Sequence, residues 1–396
     1  MPVRRRQFLR LASLLPFTEA ACGLSIPGAI AAEARSFHGN LPPFFITGIW
    51  QQPIEKIALW KARGVNTLFA VNGGGDVTQW TNEANRQGVY MVREPRGIDV
   101  SGASFLVADR AAFELDLNEP GLLAFSLMDE PSNLKPEGKD ITYEEVLLKP
   151  DEIDVIARDW SLGGKALWIN HVGNHINNVY LDGIMSDYAD SQYIDWLSHD
   201  CYPIASGDTL LLELNGYTST HQGHAIDRIS RWSGDKPQFS FVGLTQYNGE
   251  VGREPTPAEF RAQAWSSIIH GATGLIYFSF KFSPEFSYDD ARPEILREMA
   301  VLHAQIDQIH DILMDDAKGG RRPSRLLKAE SGWGASGLPF PFEGCEIQTG
   351  RGAYKIVLNL LDDTAELTYS PWDLSGVRFD PYQCRLGFVA AEMASE

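Results

Sequence analysis

The chain is short of positive charge. Of its 396 residues, 34 are Lys or Arg and 52 are Asp or Glu, giving a formal net charge of −18. This argues against a nucleic-acid or anionic-membrane partner, which calls for basic patches, and fits a neutral ligand. Cysteine is scarce at four residues, and no spacing among them suggests a zinc or iron–sulfur site. Beyond the first 34 residues no apolar run is long enough to span a bilayer, which takes about 20 residues. There is no dinucleotide-binding glycine fingerprint and no period that would mark a solenoid. No cofactor and no metal are therefore expected. What remains is ordinary for a globular chain with a sizeable core, 44% hydrophobic and 22% charged,. Ten tryptophans stand out, because rings are either core or platforms under the apolar faces of ligands.

The N-terminus reads as a targeting segment. Arg5-Arg6-Gln7-Phe8-Leu9-Arg10 resembles the twin-arginine export motif, and an apolar stretch to Ala32 follows, interrupted by Glu19. Ala29-Ile30-Ala31 and Ala32-Glu33-Ala34 are cleavage candidates, so residues 1–34 are set apart from the fold and a periplasmic or secreted location is expected. Cys22 sits in a faint lipoprotein pattern, but Glu19 occupies its aliphatic position. Export leaves Cys201, Cys345 and Cys384, of which the last two could pair in an oxidising compartment.

The stretch that organises the rest is 121–131, GLLAFSLMDEP. An apolar run bounded by Pro120-Gly121 and Pro131 reads as a strand buried on both faces, as in parallel sheets covered by helices. Strand signals recur at 44–50, 65–71, 89–93, 166–172, 193–198, 237–244 and 274–280. Helical patterns at 53–63, 77–87, 150–162, 216–232, 257–270 and 293–313 follow most of them. Asp76 and Thr256 are the N-cap candidates, Thr256 with Glu259 at capping-box spacing. Alternating strands and helices over residues 35–320 predict a (β/α)8 TIM barrel, an open doubly wound sheet being the alternative. From 321 to 396 the texture changes to Gly, Pro and aromatics. Alternating segments at 354–360 and 365–369 flank Asp362-Asp363, predicting a small, sandwich-like antiparallel β domain.

In such a barrel the C-terminal ends of the strands form one rim, where chemistry is done. Those ends carry Trp50, Asn72, Glu94 beside Arg93, Asp129 with Glu130, Asn170 with His171, His199 with Asp200 and Tyr202, Gln246 with Tyr247, and Lys281. Acids and amides bind hydroxyls and rings take apolar faces, so the set resembles a pocket for a polyhydroxylated ligand. Each residue also has a plain reading: an Asp-Glu-Pro can cap a loop, a His can be satisfied by packing, and Lys281 can be a solvated charge. Asp129 is expected to hold a neighbouring group and, by like-charge proximity, to raise the pKa of Glu130.

On these residues the chain resembles the (β/α)8 glycoside hydrolases related to clan A. Asp129-Glu130-Pro131 matches their Asn-Glu-Pro after strand four, with Asp in the Asn position. Asp200-Cys201-Tyr202-Pro203 resembles their Asp-x-Tyr-Pro rim motif, and residues 255–279 resemble the last helix and strand of bacterial barrels of this kind. The resemblance implies a glycosidase acting on an oligo- or polysaccharide, with Glu130 as general acid. It departs from the pattern after strand seven, where Gln246 stands in place of a nucleophilic Glu, and an amide cannot be the nucleophile of double displacement. Either another carboxylate serves, Asp200 first with Glu94 or Glu250 behind it, or the enzyme inverts with its carboxyls ~6.5–9.5 Å apart, or catalysis is lost and a carbohydrate-binding barrel remains. A metal- or cofactor-dependent enzyme that needs folded export is a third class.

Overall fold

The computed structural model describes residues 41–390 except 72–75, 101–103, 162, 208–211, 214–215, 218–220, 235, 248–251, 319–337, 339–340, 350–351 and 369–373. The export segment, Asn72, Glu250 and the boundary expected near 320 lie outside the described residues.

Eight parallel strands close into a barrel: β1 (Ile46–Trp50), β2 (Thr67–Phe69), β3 (Tyr90–Arg93), β4 (Leu122–Asp129), β5 (Ala166–His171), β6 (Trp196–His199), β7 (Gln238–Gly243) and β8 (Gly274–Phe278). Closure comes from β8 pairing with β1, Ile46 opposite Gly274 through Ile49 opposite Tyr277. The (β/α)8 barrel expected from the alternation is the fold of the chain. Its strands are apolar on both faces because each face meets a different layer. Inward residues such as Phe69, Trp168, Phe239 and Ile276 form one cluster inside the barrel. Their neighbours Leu68, Leu167, Val242 and Leu275 belong to another, shared with the helices.

The outer layer comprises α1 (Ile57–Ala62), α2 (Val77–Gln87), α3 (Arg110–Leu117), α4 (Pro150–Ser161), α5 (Asp182–Ala189), α6 (Gln222–Ser233), α7 (Pro257–His270), α8 (Pro293–Gln308) and α9 (His310–Lys318). Helix α2 starts where the Asp76 side chain accepts the Thr78 and Gln79 N–H groups and ends at Gly88, φ 63°. Helix α7 has the expected capping box, Thr256 and Glu259 each accepting the other's backbone N–H. Three expectations change. The helix expected over 216–232 begins only at Gln222, because Gly216–Tyr217 pairs as a short strand with Leu212–Glu213. The segment before β4, which shows no clear pattern in sequence, holds α3, capped by Asp109. The single helix predicted over 293–313 is two, because the backbone leaves the helix at Ile309, φ −116°.

The C-terminal region forms a three-stranded antiparallel sheet of β9 (Phe342–Thr349), β10 (Gly352–Asn359) and β13 (Cys384–Ala390), with β10 central, and a hairpin of β11 (Ala365–Leu367) and β12 (Val377–Phe379). The expected pairing of 354–360 with 365–369 does not form: β10 pairs with β9 and β13 instead. Asp362-Asp363 offers no glycine for the positive φ of a tight hairpin, and Asn359 ties the turn by donating to the Asp363 and Asp380 carbonyls at 2.8 and 3.0 Å. The sheet packs on α7, with Cys345, Ile347, Ile356 and Leu358 in the same core as Trp265 and Ile268. Cys345 and Cys384 form no disulfide. They sit on β9 and β13 with β10 between them, which puts their Cα atoms about two strand spacings apart, ~9.6 Å, beyond disulfide reach.

Candidate active site

The site begins with an irregularity in β4. Its register against β5 jumps between Ser126 and Met128. Before the jump Ala124 faces the barrel interior and Phe125 faces the helices. Unbroken alternation would send Ser126, Met128 and Glu130 inward. Instead Leu127 and Met128 both pack against the outer core, and Asp129 comes into register with Asn170. A bulge re-aims the side chains that follow it in this way. Glu130 then adopts φ +51°, a left-handed conformation that costs a non-glycine residue about 1–3 kcal/mol and collects at functional sites.

Asn170 holds this turn from β5. Its Nδ2 donates to Asp129 Oδ1 at 2.9 Å, Ser198 Oγ donates to its Oδ1 at 2.7 Å, and its carbonyl accepts the Glu130 N–H at 3.0 Å. Glu130 is buried, 8% exposed. Asn133 Nδ2 donates to its Oε2 at 2.5 Å. Asp200, just after β6, accepts the Gly173 N–H at 2.9 Å and lies within hydrogen-bonding reach of the Glu130 carboxyl. Two carboxyls so close cannot both ionise. Burial first, then the charge of Glu130 and the hydrogen bond with it, hold Asp200 well above the carboxylate range. Burial, then the Glu130 charge, also raises Asp129, against the pull of Asn170, and Glu94 adds to the rise. Burial raises Glu94 too, opposed by hydrogen bonds from its own and the Val71 N–H and by the Arg93 charge. Asp129 and Glu94 are nonetheless exposed. Groups that solvent reaches and protein still surrounds line a concave wall, and the water there screens part of these effects.

Aromatic residues complete the site. Trp50, 5% exposed, lies 5.9 Å from Trp168 and 5.6 Å from Phe241, ring to ring, inside the barrel. The Trp168 indole N–H is buried with no hydrogen-bond partner among the described residues. Tyr202 is buried, and burial followed by the charge of Asp200 raises its phenol well above the ordinary range. Tyr247 packs 5.3 Å from Tyr202. Burial raises its phenol, with smaller contributions from the charges of Asp200 and Glu130, against a hydrogen bond with Ser206. Further rings lead outward: Phe282 lies 6.2 Å from Tyr247 and stacks on Phe286 at 6.0 Å, and these two are 46% and 45% exposed.

The structure thus brings together Glu94, Asp129, Glu130, Asn170, Asp200 and Tyr202, with Trp50 in the floor. Other expected residues go elsewhere. His171 and His199 pair across β5 and β6 but face the helix layer, His171 against Tyr188 of α5. With Asn170 and Ser198 turned inward, strand alternation sends both histidines outward, and burial lowers each imidazole to about 3. They cannot donate to a ligand at the rim. Gln246 turns its amide into its own loop, donating to the Gly252 carbonyl at 2.9 Å. Lys281 pairs with Asp290 at 3.0 Å, within the loop after β8, rather than with a site carboxyl. Arg93 points outward to Asp116 of α3. Asn133 and Ser198 are site residues that the sequence reading missed, whereas Tyr247 stands in the expected rim set. Tyr247 is legible as the neighbour of Gln246, while Asn133 is no more than an amide three residues beyond Glu130. Among the described residues no group of three or more His, Cys, Asp or Glu is placed to hold a metal ion.

No family model matches the chain, and no curated protein matches it. Similar solved structures include AmyP in complex with maltose, 10% identical with a TM-score of 0.48 over 87% of this chain and 90% of that one. A β-galactosidase from Bacillus circulans sp. alkalophilus is 11% identical, with a TM-score of 0.49 over 69% of this chain and 57% of that one. An endo-1,4-β-mannanase from Eisenia fetida is 13% identical, with a TM-score of 0.39 over 65% and 84%.

Proposed function

We propose that this chain is a glycoside hydrolase, exported through its twin-arginine segment, that cleaves an oligo- or polysaccharide by carboxyl acid–base catalysis. The observation that carries the reading is the convergence of Glu94, Asp129, Glu130 and Asp200 over an aromatic floor at the C-terminal mouth of the barrel, where burial and mutual charge raise Asp200, Asp129 and Glu94 above their ordinary range. Glycosidic cleavage needs a carboxyl that is protonated and another that is not, and carboxyls crowded in a partly dry site divide into those two states. The pairing of Glu130 with Asp200 across the scissile bond is not retained. Carboxyls within hydrogen-bonding reach leave no room for a sugar, since retaining pairs stand ~5–5.5 Å apart and inverting pairs further.

The test is hydrolysis of a panel of aryl glycosides and β-glucan and galactan oligosaccharides by wild type, Glu130→Gln and Asp200→Asn. Hydrolysis of any member of the panel by wild type, with a measurable loss of rate in each variant, supports the reading. The second reading, a barrel that binds carbohydrate without cleaving it, draws on the amide of Gln246 and on its turn away from the site. Oligosaccharide binding without any hydrolysis by wild type would establish that one.

A further inference from the structure

We infer that Asp129, rather than its neighbour Glu130, is the acid presented to the substrate, that Glu94 is the carboxylate facing it, and that Glu130 and Asp200 are a positioning pair behind them. The inference rests on the glycosidase reading and departs from the role that the Asn-Glu-Pro resemblance gives to Glu130.

The backbone provides the first argument. The bulge after Ser126 exchanges the parity of β4, turning Asp129 to the side that unbroken alternation would have given to Met128 and Glu130. Exposure provides the second. Asp129 and Glu94 are open at the barrel mouth, whereas Glu130 is buried. Bonding provides the third. Glu130 is taken up by Asn133 and by Asp200. Asp129 is gripped only through Oδ1, by an asparagine that Ser198 holds in turn, and its Oδ2 accepts no hydrogen bond among the described residues. A carboxyl fixed at one oxygen with the other uncommitted is set to carry a proton in one direction. An unmet need lies next to it. Trp168 stands two residues before Asn170 on the same inward side of β5, and its fully buried indole N–H has no hydrogen-bond partner among the described residues. Such an orphan donor is rare in a finished core.

The chemistry balances with water alone. Asp129 gives its proton to the glycosidic oxygen as the C–O electron pair leaves with that oxygen. Water bonds to the anomeric carbon and passes its proton to Glu94, which releases it to solvent as solvent returns a proton to Asp129. The charge on Glu130 keeps Asp129 protonated to a higher pH than a lone aspartate would allow.

The experiment compares wild type, Asp129→Asn and Glu130→Gln on aryl glycosides with good and poor leaving groups, across pH. An activated nitrophenolate departs without help, whereas a sugar or alkyl leaving group needs the acid. Asp129→Asn should lose about 10²–10⁴-fold on poor leaving groups and little on good ones. Asp129→Ser, whose hydroxyl can still accept from Asn170, should show the same pattern. Glu130→Gln should lose much less and move the alkaline limb of kcat/KM to lower pH. The sign follows because removing the Glu130 charge lowers the Asp129 pKa, and activity falls as Asp129 deprotonates. A residue with only a structural role would lower the rate without moving that limb. If the leaving-group dependence follows Glu130→Gln instead, or the limb stays in place, this assignment is overturned while the glycosidase reading stands. If wild type cleaves no glycoside in the panel, both are overturned.

Discussion

At the scale of single residues, Asn170 is the part on which the site depends. It is 1% exposed and makes two side-chain hydrogen bonds, one to Asp129 and one from Ser198. Asn170→Ala should strand the buried Ser198 hydroxyl and cost about 1–3 kcal/mol, read as a lower midpoint in urea at an unchanged slope. It should also raise the Asp129 pKa further, since the Asn170 bond is the pull that lowers it. A midpoint equal to wild type would show that water replaces the amide. The residues at the strand ends were legible as a set but not one by one. Adjacent side chains leave a strand on opposite sides, so a neighbouring pair at an end contributes one member to the interior. Asn170 enters and His171 does not. Ser198 enters, His199 does not, and Asp200 enters again. That parity could have been read from the apolar pattern. The bulge in β4 could not, because nothing in LMDEP distinguishes a jump in register from plain alternation.

At the scale of elements, the signals that proved reliable are those with a local cause. The box at Thr256 and Glu259 fixes the start of α7 from side chains three residues apart. Thr256→Ala should cost about 1 kcal/mol, seen in thermal melts. The ion pair of Arg93 with Asp116 depends instead on long-range placement. Both side chains are fully buried, with Arg93 Nη2 2.6 Å from Asp116 Oδ1, and Arg96 reaches the same carboxylate. Burial alone would raise Asp116, but the hydrogen bonds from Arg93 and Arg96 outweigh it and hold the acid below its ordinary range. In sequence Arg93 is simply a polar residue at a strand end, and nothing there names a partner on the next helix. Asp116→Ala should leave a buried guanidinium unpaired and cost about 3–5 kcal/mol, several times the loss from Thr256→Ala. The loop after β8 is an element whose purpose the aromatic count only hinted at. Phe282 and Phe286 extend the ring series from Tyr247 into solvent. If the proposed substrate is an oligosaccharide, Phe286→Ala should raise KM for long chains several-fold while leaving kcat on a short aryl glycoside near wild type.

At the scale of the molecule, the barrel and the C-terminal sheet are joined by a buried charge cluster that the sequence spreads over 123 positions, from His221 to Glu343. Glu343 of β9 lies 3.1 Å from His221 Nε2 and 3.3 Å from His270 Nε2, accepts from Ser266 Oγ at 2.9 Å, and His270 in turn pairs with Asp227 at 3.0 Å. Burial opposes charge on both main partners, but the opposite charges prevail. His270 is raised to about 10 by Asp227 and Glu343, and Glu343 is lowered by His270 and His221. The pH dependence follows from these directions. The contribution of Glu343 is present above its ordinary value of 4.5 and is lost as pH falls below that. The contribution of His270 is complete below its ordinary value of 6.5 and is lost as pH rises from there to about 10. Docking of the sheet on α7 should therefore be strongest between about pH 4.5 and 6.5, where both contributions are full, and should weaken on either side. Removing the acid strands buried histidine charge. Glu343→Gln should lower stability within that window and flatten its alkaline decline, measured as melting temperature from pH 4 to 10. If the variant keeps the wild-type decline, the pH dependence comes from elsewhere. The same cluster explains why the two parts of the chain share one core despite their different texture: Cys345 and Ile347 belong to the same core as Trp265 of α7, and Glu343, two residues before Cys345, ties their strand to Ser266 and His270 of that helix.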